Sequence, residues 1–219
     1  MIKINILFIS LFSFSFYILP AQQKIIIIHP SGDTKNLNRK LHKSYEQIQT
    51  HHFAEILNEV LHQEQFFSST IISDTFHTTT VPFQTASLVN SSNTDLFLSI
   101  HFYKQIQQRP VIHIIHYVNN PLLDYAKHQQ KTDIIPIHQA HYKSIHKTIH
   151  WGNILKKTLN QSMYQKLFDV QGLYGIPVKA LEGITCPAFF LDIGLSEDEQ
   201  WNIVIQPLVE GIKQLLYTN

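Results

Sequence analysis

Several apolar stretches of this sequence run up to a side chain that can bind a proton or a metal. KIIIIHP reaches His29, DLFLSIH reaches His101, and CPAFFLDIG carries Asp192 near its end. A fourth such group, Glu46, stands at the start of a helical pattern that follows the first stretch. Short apolar runs of this kind read as strands buried on both faces. In sheets wound with helices, ligands lie at the carboxyl ends of the strands. His29, Glu46, His101 and Asp192 are therefore placed to gather on one sheet edge. Imidazole and carboxylate together offer two chemistries there: ligation of a metal ion, or proton transfer as general acid and base. The competing reading is four separate structural residues, each hydrogen-bonded where its element ends.

The elements that must position these groups follow from periodicity. Strand patterns occupy 24–29, 67–73, 96–101, 111–118 and 187–192. Between the first two lies a helical pattern over 44–64, with Ile48, Phe53, Ile56, Leu57, Val60 and Leu61 on one stripe. Further helices are predicted over 82–92, 149–167 and 201–217, with Pro207 expected to kink the last. Strands alternating with helices predict a single α/β domain over 24–219, its sheet mostly parallel, with helices on both faces. There is no internal repeat and no Gly/Ser linker.

Composition narrows the function. The chain has 219 residues and a formal net charge of +1, which removes the polycationic surface that nucleic-acid binding needs. Residues 1–23 read as a secretory signal peptide. Lys3 is followed by an apolar stretch from Ile6 to Leu19, shorter than the ~18–20 residues that cross a bilayer, and Ala21 is a small residue at a plausible cleavage point. An uncleaved anchor is the alternative. The mature protein is expected to be exported to the periplasm or cell envelope, with no membrane span. Cys186 is the only cysteine and has no internal disulfide partner. Of the 14 histidines, four (His128, His138, His141 and His146) fall in a segment of about 30 residues before the 149–167 helix, and His146 and His150 are one helical turn apart. That segment reads as a solvated lip of the domain, or as an added metal or substrate contact.

Taken in order, these pieces resemble the N-acetylmuramoyl-L-alanine amidases, zinc enzymes that cut the lactyl-peptide amide of peptidoglycan. DLFLSIH is similar to that family's ligand strand, which ends Ser-Ile-His. YEQIQTHHFAEIL is similar to its first helix, with Glu46 eight residues before Ala54. SLVNSSNTDLFLSIH, ALEGITCPAFFLDIGLSEDEQ and LVEGIKQLL match its asparagine–aspartate run, last core strand and closing helix. The resemblance implies an amidase-like fold and zinc held by His, Glu and His with one position left for water. It also implies a carboxylate on the last strand as proton acceptor. By position, Glu46 and His101 would be zinc ligands and Asp192 the catalytic group.

Two departures from the family pattern bear on activity. The family's first strand ends Asp-Pro-Gly-His-Gly, its histidine being the first zinc ligand. Here the stretch is HPSGD, which puts Gly32 at the ligand position and His29 three residues earlier. Either His29 or Asp33 supplies the third ligand, or the site has two and holds zinc weakly. The family's catalytic glutamate is replaced by Asp192, one methylene shorter. The resemblance thus leaves two readings: a zinc amidase of peptidoglycan with an impaired site, or a non-catalytic relative that binds peptidoglycan or an envelope partner.

Overall fold

A computed structural model describes residues 23–30, 40–41, 44–64, 66–72, 82–120 and 135–217. The segment read as a signal peptide lies outside these residues but for Gln23, as do Gly32, Asp33 and His128. Six strands form one sheet in the order β2-β1-β3-β6-β4-β5. They are β1 (Lys24–Pro30), β2 (Phe67–Ile71), β3 (Leu96–Lys104), β4 (Val111–Tyr117), β5 (Asp169–Ile176) and β6 (Ala188–Leu195). Every neighbouring pair is parallel except β4 with β6. Among the described residues the α-helices are α1 (Glu46–Gln63), α2 (Pro82–Ser91), α3 (Ile145–Leu159) and α4 (Asn202–Tyr217). β1, β3, β6 and β4 are consecutive in the sheet. Among the described residues no helix is long and apolar enough to cross a membrane.

The period of two along each strand separates the faces. Ile26, Ile28, Leu98, Ile100 and Phe102 belong to one cluster with Phe53 and Leu57 of α1, Trp151 and Leu155 of α3, and Leu208 and Ile212 of α4. Ile27, Phe97 and Ala188 turn the other way, against Ala86 and Val89 of α2 and Leu181 and Ile184. Further along the strands the same alternation presents His29, Ser99, His101 and Asp192, so polar side chains follow the apolar cover on one surface.

The structure departs from the sequence reading in several places. The third helix spans Ile145–Leu159 rather than 149–167, and the residues after it turn to enter β5. β5, DVQGLYGI, carries no strand signal because two glycines and a glutamine break its apolar pattern. It forms as an edge strand, and pairing to β4 rather than burial specifies it. The segment before α3 is not wholly a solvated lip. His138, His146 and His150 are exposed, but His141 is buried in a 3-10 helix (Ile137–Lys143) with its ring edge-on to Tyr117. α4 runs through Pro207 as one helix.

Candidate functional site

Glu46 is the first residue of α1 and is buried, at 2% exposure. A carboxylate in the first turn is favoured by the helix dipole. The helix start is fixed from both sides. Lys40 bridges to Tyr45 just before it, and Gln49 Oε1 accepts a 2.5 Å hydrogen bond from Trp201 Nε1 at the entry to α4. His101 and Asp192 face each other in register across β3 and β6.

These three residues meet. His101 Nε2 lies 2.8 Å from Glu46 Oε1, and His101 Nδ1 lies 2.6 Å from Asp192 Oδ1. The imidazole is clamped between two carboxylates on its opposite edges, in an ion pair with Glu46 and a charge-assisted hydrogen bond with Asp192. Its far face stacks on Phe190, with ring centroids 5.6 Å apart. Burial pulls the imidazole pKa down. The hydrogen bonds to Asp192 and Glu46, with the charges of both, outweigh it and lift the value to about 9.

A pH dependence follows for the metal-free protein. The folded-state value lies above the unfolded value of 6.5. The clamp's contribution to stability is therefore fully present below about pH 6.5 and is lost as the pH rises through about 9. The expected result is a His101 ring resonance that titrates near 9, with a parallel fall in urea midpoint between pH 7 and 10. A midpoint titration at or below that of a free histidine would show that the clamp does not form.

His29 stands on the same face, paired with Ser99, and its Nδ1 is 3.3 Å from Ser99 Oγ. It is buried and roughly parallel to the Phe97 ring, centroids 6.1 Å apart. Among the described residues no group of three or more His, Cys, Asp or Glu side chains is arranged to hold a metal. Asp33 lies outside the described residues. Glu46 and His101, with a carboxylate on the second ring nitrogen, have the donor chemistry of a zinc site, where the outer carboxylate orients the ligating imidazole. They fit zinc as two of its ligands. Cys186 offers no alternative nucleophile, since burial pushes its thiol up to about 12.

Two residues beside this clamp escaped the sequence reading. Tyr103 lies two positions beyond His101 on β3, and His113 on β4 is the register partner of Asp192. Their side chains share a hydrogen bond, Tyr103 Oη to His113 Nε2, 3.0 Å. Burial, and then the charge of Asp192, push the Tyr103 phenol above its ordinary value. Alternation from His101 along β3 could have flagged Tyr103. His113 could not be placed without the pairing of β4 to β6.

No family model matches the sequence, and no curated protein sequence matches it significantly. Solved structures do. The chain is similar to the catalytic domain of CwlV, an N-acetylmuramoyl-L-alanine amidase from Bacillus (Paenibacillus) polymyxa var. colistinus, with TM-score 0.60 and 15% identity over 90% of this chain and 100% of that one. It is similar to an N-acetylmuramoyl-L-alanine amidase from Clostridium difficile 630, with TM-score 0.63 and 17% identity over 90% and 99%. A third likeness is AmiC2 of Nostoc punctiforme, with TM-score 0.61 and 13% identity over 88% and 97%. The chain therefore has the fold of the N-acetylmuramoyl-L-alanine amidases, along nearly the whole length of each.

Proposed function

We propose that this chain is a divergent member of the N-acetylmuramoyl-L-alanine amidase family, exported by its first 23 residues to the periplasm or cell envelope. It acts there on the amide between the lactyl group and L-alanine of peptidoglycan. The observation that supports this reading is the clamp itself: in this fold, Glu46, His101 and Asp192 come into direct contact at the carboxyl edge of the sheet. Zinc would be held by Glu46 and His101, with His29 or Asp33 as the candidate third ligand. When bound, zinc supplies Lewis-acid polarisation of the amide carbonyl and lowers the pKa of water. Asp192 acts on both sides of this chemistry. Its Oδ1 holds the His101 ring through Nδ1, and its second oxygen is the proton acceptor that then returns the proton to the leaving amine.

A second reading is a non-catalytic relative that binds peptidoglycan through the same cleft. It is favoured by the lack, among the described residues, of a third side chain arranged with Glu46 and His101 as a metal ligand. Purified mature chain, loaded with zinc and incubated with isolated peptidoglycan, separates the two. The expected outcome is slow release of stem peptides bearing a new L-alanine amino terminus, below the ~1 per second at the low end of ordinary enzymes, and stopped by a chelator. Release at ordinary rates would overturn the impaired site. No release from folded, zinc-loaded protein would leave the binder.

A further inference from the structure

The face that carries the clamp continues toward β5 as a strip of aromatic rings. Tyr103 and His113 have ring centroids 6.1 Å apart with planes 34° apart, and His113 and Tyr174 follow at 5.9 Å and 42°. Strand side chains ordinarily stand away from the sheet. These tyrosines lie along it. A Cβ at Gly194 would come within 2.6 Å of the Tyr103 ring, so that ring crosses β6 over a bare backbone to reach His113. Tyr174 turns back over its own strand, where its hydroxyl donates a 2.6 Å hydrogen bond to the Gln171 carbonyl and its ring passes over Gly172.

Gly172 has φ +123°, and β4 and β5 shift register between Ile112 and His113. Such bulges bend a strand and re-aim side chains. This one stands where His113 meets the strip. The strip is partly open to solvent, with Tyr174 at 40% exposure.

We propose that Tyr103, His113 and Tyr174 form a sugar-binding subsite that takes a pyranose ring of the glycan strand. A pyranose offers a face of C–H groups and a rim of hydroxyls. Flat aromatic rings have electron-rich faces for the first, and phenol and imidazole edges hydrogen-bond the second. Position selects the same occupant. On the reading given above, on which this inference rests, the scissile amide is joined through the lactyl group to a sugar. A sugar must therefore lie beside Asp192, and His113 is the register partner of Asp192.

The probe is a tetramer of N-acetylglucosamine, which has no peptide, titrated into the full mature chain and followed by NMR or calorimetry. A free stem peptide serves as the second arm. The tetramer is expected to bind. Tyr174→Ala is expected to weaken it at least tenfold, a loss of ~1.4 kcal/mol. Gly194→Ala is expected to weaken it too, by displacing Tyr103. Tyr217→Ala, which removes an exposed tyrosine on α4 beside Phe66, is expected to change nothing. Unfolding midpoints check that each variant is folded.

Failure of folded wild-type chain to bind the tetramer would overturn the inference. So would an unchanged affinity in Tyr174→Ala, or a loss in that variant confined to the stem peptide. The amidase reading fails separately. A chain that binds the tetramer through Tyr174 and never releases stem peptide keeps the sugar site and loses the activity. A chain that releases peptide but ignores the tetramer does the reverse.

Discussion

Replacing His101 with alanine is expected to lower the unfolding free energy of the metal-free chain by about 3–5 kcal/mol at pH 7, the range for breaking a buried ion pair by removing one partner. The cation it removes stands 2.8 Å from Glu46 and 2.6 Å from Asp192. Glu46 is 2% exposed and cannot turn to solvent without unwinding the start of α1. It would be left as a buried charge with another carboxylate nearby. One consequence distinguishes this cause from loss of packing. A second change, Glu46→Gln, should recover part of the loss, so that the double variant is more stable than His101→Ala alone. Urea unfolding of both variants in the presence of a chelator measures it. A cost below ~1 kcal/mol, the level of an exposed ion pair, would mean that the clamp contributes little.

The second expected result concerns the chemistry. Asp192→Asn should reduce stem-peptide release at least ~100-fold, the lower end of what a positioned general acid and base contributes. The amide keeps an oxygen that can accept from His101 Nδ1, so the ring should stay in place. It cannot take a proton from water or return one to an amine. Association with whole peptidoglycan should persist, because Tyr103, His113 and Tyr174 are unchanged. Asp192→Glu should raise the rate, since the longer arm restores the reach of the carboxylate that the family uses. Release by Asp192→Asn at the natural rate would remove Asp192 from the reaction and leave it as a support for His101.

Local pattern was enough to locate most of the sheet and three polar residues that meet at its edge. Continuous apolar runs can be buried only as interior strands, so β1, β3, β4 and β6 were legible from composition and period alone. Strand ends in such a sheet form one edge, which singled out His101 and Asp192. The start of a long amphipathic stripe singled out Glu46. β5 was illegible because its two glycines weaken any strand pattern, and only an unpaired edge of β4 gives it a reason to form. The end of α3 was missed for a related reason: the turn into β5 interrupts a segment whose composition still permits helix. The role of His113 depends on β4 lying antiparallel to β6, which brings a residue twelve positions after His101 beside Asp192. No local pattern encodes that pairing. The sequence by itself determined the α/β class and the one-edged placement of polar residues. Only the tertiary structure decided that one imidazole would sit between two carboxylates, and that the neighbouring rings would lie flat on glycine. Strand order and register are settled by burying the whole sheet at once, and the distances within the site follow from them.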